Sequence, residues 1–292
     1  MVSQVPQIHD KGGIALFADD TKVYNTNADI LQNELYSLEQ WFDTRQLVLA
    51  PHKCFHLQIS KPKLNSVSSS FKICNVQVTN TDQMKDLGVI VSENLKWAPH
   101  ISKIYRESSF ISYQIRKSFH TKNIWTLLNL YKTYIRPKLE YNCPIWSPGY
   151  IKDKKLIESI QRDFTRFACR RSGIKFNSYN HRLQLLNLKS LEYRRIEFDL
   201  LFLYKIVYGL CFLNFSDYFI FKHCPYSLRR NSLQIQPLAT FSNRVWDHCF
   251  FNRVPKVWNQ LPDEVVTSKD LQMFRFKLKQ FDLTHIVKTE HD

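Results

Sequence analysis

The sequence predicts an α+β protein in which strands come first and helices follow, and three observations carry that reading. Up to about residue 97, apolar residues alternate or run in short bursts between turn-forming residues. From Trp97 onward they recur every three to four positions. With 44% hydrophobic and 14% aromatic residues but only 6 Gly and 11 Pro in 292, the chain can bury more than one core and is neither fibrous nor of low complexity.

The first element is the stretch Gly12-Gly13-Ile14-Ala15-Leu16-Phe17-Ala18-Asp19-Asp20-Thr21-Lys22-Val23-Tyr24. Apolar residues run into two carboxylates, and β-branched and aromatic residues follow, which predicts a tight hairpin with Asp19 and Asp20 at its tip. Two aspartates beside a buried strand repel each other and lose hydration, so a cation must compensate them. Mg²⁺, which prefers hard oxygen ligands, is the cation such a pair suits; a solvated acidic hairpin is the other reading. Asn27 can then cap a helix with Asp29 in its first turn, whose Leu31, Leu35, Leu38 and Phe42 pack beneath the hairpin while Glu34 and Glu39 face out. Leu47–Leu49 and Phe55–Ile59 read as short strands, with Lys53 on the loop between them. A Ser-rich loop from Pro62 to Ser70 leads to a strand pair over Phe71–Val78, and a further hairpin spans Met84–Val91. Gly88 there either marks a strand bulge or lets the backbone approach a sugar-phosphate chain closely.

Ile101, Ile104, Ile111 and Ile115 line one face of the first helix after Trp97, with Lys103, Arg106, Arg116 and Lys117 elsewhere on it. A second helix is expected from about Asn123 to Arg136, where Pro137 should stop it. A third begins near Lys152. Its apolar face is Leu156, Ile160, Phe164 and Phe167, and Lys155, Arg162, Arg166 and Arg170 form a basic stripe about 80° wide. Leu200–Leu213 reads as a central buried helix, and Trp146 and Trp258 as core aromatics. Arg194 and Arg195 are candidates for phosphate contact or for ion pairs with Glu192 or Glu197.

The net charge of +15 is unevenly spread: −1 over residues 1–97, +12 over 98–200 and +4 over 201–292. A basic middle section suits a polyanion, a solvated basic surface being the alternative. The seven cysteines, Cys54, Cys74, Cys143, Cys169, Cys211, Cys224 and Cys249, show no Cys-x-x-Cys or zinc-knuckle spacing and are expected to be reduced, mostly buried thiols of an intracellular protein, nuclear or cytoplasmic. The first residues have no secretory pattern. Asp199 and Lys205 interrupt the apolar run Phe198–Phe215, so no membrane span is expected.

Phe17-Ala18-Asp19-Asp20 resembles the metal-binding hairpin of reverse transcriptases, an aromatic, any residue and two aspartates. Further phrases fall in one order: Leu130–Tyr141, Pro144-Ile145-Trp146, Ile157-Glu158-x-Ile160-Gln161-Arg162, Arg182-Leu183, Leu191-Glu192-x-Arg194-Arg195, Asp199-Leu200-x-Phe202-x-Tyr204-Lys205, Arg253-x-Pro255, Trp258-Asn259-x-Leu261-Pro262 and Phe276-Lys277-Leu278. In that order they resemble the region at and beyond the polymerase domain of LINE-type, jockey-like non-LTR retrotransposons. The resemblance runs from the hairpin to about Leu283. It implies an RNA-directed DNA polymerase in which Asp19 and Asp20 hold Mg²⁺, Lys53 assists the pyrophosphate leaving group, Gly88 lies in a hairpin that grips the primer end, and the basic helices hold an RNA template and DNA primer.

The fold so implied is an incomplete polymerase palm (Asp-Asp hairpin, helix, short strands) over residues 1–97, a helical, basic thumb-like region over 98–175 and a mostly α-helical C-terminal region over 176–292. A palm needs a third carboxylate, and only Asp10 precedes Asp19. The chain is therefore expected to be a truncated reverse transcriptase, inactive alone and completed in its parent polyprotein by an upstream palm; the alternative is a non-catalytic nucleic-acid-binding remnant.

Overall fold

The computed structural model describes residues 12–59, 70–222, 231–239 and 247–286. Most of the expected Pro62–Ser70 loop, Cys224 and Asp10 lie outside the described residues. The chain is mixed α/β and divides between Leu95 and Lys96 into two compact units, two residues from the boundary expected at 97.

In the first unit, β1 (Gly13–Phe17) and β2 (Asp20–Tyr24) pair antiparallel with Phe17 opposite Asp20, so Ala18 and Asp19 form a two-residue turn. Ala18 adopts φ +53°, a left-handed conformation that costs a non-glycine residue about 1 kcal/mol. Helix α1 (Ala28–Thr44) starts as expected: Asn27 Oδ1 accepts from the Asp29 and Ile30 amides at 2.9 and 3.2 Å. Its polar residues are used. The Gln32 amide exchanges two 2.9 Å hydrogen bonds with the Lys72 backbone, and Glu39 accepts from Cys74 N at 2.7 Å, which pins a hairpin of β4 (Lys72–Ile73) and β5 (Val76–Gln77) to the helix. Glu34 likewise accepts from Asn25 at 3.0 Å. Glu34 and Glu39 therefore do not simply face solvent.

Leu47–Leu49 is not a strand, and Val48 is 97% exposed. A short 3₁₀ turn, Pro51–Lys53, leads instead into β3 (Phe55–Leu57), which pairs parallel with β6 (Thr79–Thr81). β7 (Gln83–Asp86) and β8 (Val89–Ser92) form the expected hairpin. Gly88 is not a bulge: Leu87 (φ +43°) and Gly88 (φ +88°) form its two-residue turn, where the backbone alone requires glycine. Gly88→Ala should cost the unit about 1 kcal/mol, measurable by urea melting.

The second unit contains the helices on both sides of residue 175. These are α2 (Ala98–Ser118), α3 (Ile124–Leu130), α4 (Arg136–Glu140), α5 (Cys143–Trp146), α6 (Ile151–Arg171), α7 (Tyr179–Leu185), α8 (Leu191–Val207), α9 (Phe250–Trp258), α10 (Asp263–Val266) and α11 (Leu271–Gln280). α4, α5 and α6 each pack on α8, so the segments divided at 175 in the sequence reading join in one unit. Pro137 does not end the second helix. A π-helical turn, Tyr131–Ile135, joins α3 to α4, and the proline falls at the start of α4, where its missing N–H is not needed.

Trp146 and Trp258 are fully buried, and each indole donates to a carbonyl, of Tyr141 at 2.7 Å and Leu233 at 2.8 Å. α8 supplies Leu200, Leu203, Tyr204 and Ile206 to the core but ends at Val207, short of the expected Leu213. Gly209 at φ +64° turns the chain, Leu210 N bonds back to Lys205 O at 2.7 Å, and Phe212 is fully exposed. The C-terminal half also holds a strand pair, β9 (Phe219–Phe221) with β10 (Ile235–Pro237), which adds a small sheet to a region expected to be mostly helical. Asn259 closes it, its amide bonding Ile235 N at 2.9 Å and Ile235 O at 2.8 Å.

Two buried polar arrangements hold these helices together. Tyr131 donates to Gln161 at 2.6 Å, Gln161 donates to Tyr179 at 2.7 Å, and Tyr179 donates to Glu158 at 2.6 Å. Glu158, fully buried, also accepts from the Leu191 and Glu192 amides at the start of α8, at 3.0 and 3.3 Å. It acts as a carboxylate cap supplied by another helix. The second arrangement is Arg253, which grips Asp199 through two hydrogen bonds of 2.9 and 2.8 Å and donates to Pro144 O at 2.6 Å and His248 O at 2.8 Å.

His100, 2% exposed and edge-on to Trp146, has its pKa lowered to about 4 by burial and, secondarily, by Lys103. The depressed pKa means stability held above about pH 6.5 and lost as pH falls towards 4, a difference of about 3 kcal/mol. His100→Phe should flatten that part of the stability profile relative to the wild type, as read by melts between pH 7 and 4.

Candidate nucleic-acid interface

The groove between α2 and α6 encloses about 810 Å³. From α2, Tyr105, Ser109, Ser112 and Arg116 face it at spacings of four, three and four residues, one row of a helix surface, with Tyr113 beside them. From α6 come Ile160, Asp163, Phe167 and Arg170 on the matching row, with Arg166 and Arg171 flanking. The serines are why a groove exists. Ser108 and Ser112 are buried and small, so the helices pack closely below it while Tyr105 and Tyr113 rise along its side.

Four arginines face one carboxylate there. Arg116 and Arg171 lie over the Phe167 ring at 5.0 and 5.1 Å, and Arg171 also donates to Phe119 O at 2.6 Å, which fixes both cations. Burial lowers the Arg116 pKa, with Asp163 opposing, and its Nε is buried without a hydrogen-bond partner. Arg166 lies 3.7 Å from Asp163, and the Arg170 guanidinium enters no ion pair among the described residues. Arg182, 3% exposed, stands over the Phe176 and Tyr179 rings. Its pKa is lowered first by burial and then by Arg166, so it adds positive potential behind the groove.

Of the sequence candidates, Arg116, Arg166 and Arg170 meet here. Lys117, Lys155 and Arg106 are exposed without lining the groove, and Lys103 lies 3.9 Å from Glu107. Arg162 is half-buried, and its carbonyl lies 3.5 Å from Arg182. Arg194 and Arg195 are not surface phosphate ligands. Arg194 pairs through both Nε and Nη2 with Glu140, rather than with Glu192 or Glu197, and Arg195 is 2% exposed inside the unit. Tyr105, Tyr113, Asp163 and Arg171 are not among the sequence candidates, and Arg182 appears there only within the Arg182-Leu183 phrase. The Tyr-Ser-Ser-Arg row on α2 is a signal that could have found the two tyrosines.

Asp19, Asp20, Lys53 and Gly88 belong to the other unit. Both aspartates are exposed at the hairpin tip, and β1 is exposed at Leu16 (44%) and Phe17 (63%) instead of buried as expected, because β1 pairs with β2 alone. Asp19, Asp20 and Lys53 enter no side-chain ion pair among the described residues, whereas Lys22 of the same hairpin lies 2.5 Å from Asp86. Hard carboxylate oxygens suit Mg²⁺, but no group of three acidic, histidine or cysteine residues occurs among the described residues, so two carboxylates alone do not complete a metal centre. Cys143 and Cys169 are buried, and burial pushes the Cys143 thiol up to about 12. Cys54, Cys211 and Cys249 are half-buried and Cys74 is exposed, so mostly buried thiols are not what the fold provides. Among the described residues no helix is long and apolar enough to cross a membrane.

No family model matches the chain, and no solved structure does. An uncharacterized protein of Caenorhabditis elegans is similar to it, 27% identical over 115 residues, which is 39% of this chain. The match spans 58% of that relative's length.

Proposed function

We propose that the chain is the C-terminal half of a LINE-type reverse transcriptase, with the end of a polymerase palm in its first unit and a nucleic-acid-holding helical region in its second. The observation that carries this reading is the α2–α6 groove, where four arginines face one aspartate between helices of one basic segment. The two-residue turn bearing Asp19 next to Asp20 supports it.

In the intact parent, RNA-directed DNA synthesis is the activity, Asp19 and Asp20 hold Mg²⁺ together with a carboxylate from outside the described residues, and Lys53 serves the leaving group. Bound there, the metal supplies charge stabilisation at the phosphoryl centre. The balance of +12 over residues 98–200 supports a second reading for the chain alone, a nucleic-acid-binding remnant without chemistry. Purified alone, the chain should give no Mg²⁺-dependent nucleotide incorporation on a primed RNA template.

Photo-crosslinking tests the reading. A primed RNA template carrying 4-thiouridine should crosslink to peptides of α2 and α6, and Asp19→Asn with Asp20→Asn should leave that crosslink in place. Crosslinks confined to other segments, or none at low salt, would overturn it.

A further inference from the structure

The groove is open to solvent and its volume of about 810 Å³ is that of a site for one small ligand, whereas a double helix presents a major groove alone about 12 Å wide. Its two kinds of side chain also do different work. Phe167 already carries the Arg116 and Arg171 guanidinium groups, so its ring serves to fix cations. Tyr113 is 58% exposed on the groove wall, and among the described residues its ring enters no aromatic or cation–π pair and its hydroxyl no hydrogen bond. A tyrosine so placed offers much of its π face to a ligand. Three positions along on α2 the buried Nε of Arg116 lacks an acceptor, and on the facing helix α6 Arg170 enters no ion pair among the described residues.

We propose that the α2–α6 groove takes an unpaired nucleic-acid strand, with a base stacked on Tyr113 and the adjoining phosphates met by Arg116 and Arg170. This rests on the nucleic-acid reading of the groove and narrows it: what enters is the unpaired template, not the template–primer duplex. Tyr113 and Arg116 are three residues apart on α2, neighbours on its surface, which matches the short reach from a base to its own phosphate. Stacking is indifferent to base identity, so the groove holds any unstructured sequence, and its hold weakens with salt.

Fluorescence anisotropy with the full chain tests this, using labelled 12-nucleotide oligo-uridine and oligo-thymidine against a blunt 12-base-pair duplex. The single strands should bind more tightly than the duplex. Tyr113→Leu should weaken them about 5- to 100-fold and leave duplex binding within about twofold, and Tyr113→Phe, which keeps the π face, should retain most of the affinity. Because Tyr113 is exposed, neither variant should change the melting profile. Tighter binding of the duplex, or Tyr113→Leu matching the wild type on single strands, would overturn the proposal and leave nucleic-acid binding standing. No salt-sensitive binding of either form would overturn both.

Discussion

Glu158→Ala should unfold the second unit more readily than any exposed substitution, with a loss of about 3–5 kcal/mol, a large part of the 5–15 kcal/mol a domain commonly holds. The carboxylate is fully buried and accepts from the Tyr179 hydroxyl and from the Leu191 and Glu192 amides. Alanine leaves these donors buried without an acceptor, at about 1–3 kcal/mol each. It also removes negative charge from the positive end of α8. Glu158→Gln keeps one oxygen and should lose roughly half as much. Urea melts of the two variants and the wild type check this, and an alanine variant within about 1 kcal/mol of wild type would mean that α8 does not depend on its cap.

Arg253→Ala should cost about 3–5 kcal/mol for a different reason, because it strands an anion. Asp199 is 5% exposed, and burial raises its carboxyl while Arg253 opposes that rise. Without the arginine the folded pKa lies further above the unfolded one, so the variant is penalised at neutral pH and its deficit shrinks as pH falls into the carboxylate range. Arg253→Leu with Asp199→Leu should recover much of the loss, since the pair is replaced by apolar bulk, although the Pro144 and His248 carbonyls lose a donor. A thermal double-mutant cycle measures the coupling. Additive losses would show that the two residues act separately.

Local signals in the sequence carried over well into structure. The Asp-Asp hairpin, the Asn27 cap and the hairpins over Phe71–Val78 and Met84–Val91 all depend on residues within a few positions of each other. What the sequence left hidden depends on partners far along the chain. Pro137 read as a stop because a π turn that absorbs its missing donor has no marker in one sequence. Nothing in the sequence marks Glu158 and Gln161 as buried; they are so because Tyr131, Tyr179 and the start of α8 converge on them. Arg194 and Arg195 read like Arg166 and Arg170, since a basic residue looks the same whether Glu140 claims it or solvent does. The groove needed two helices some fifty residues apart in register, so its arginines could be suspected singly but not assembled.

The proposed role of the α2–α6 arginines is to form a surface for a polyanion, and the salt dependence of binding addresses that most directly. Affinity of the wild-type chain for a labelled single strand, measured across salt concentrations, should fall linearly on logarithmic axes. Arg116→Gln with Arg170→Gln should flatten that slope by about 1.4, near 0.7 per lost contact. An unchanged slope, with affinity unchanged at low salt, would contradict it.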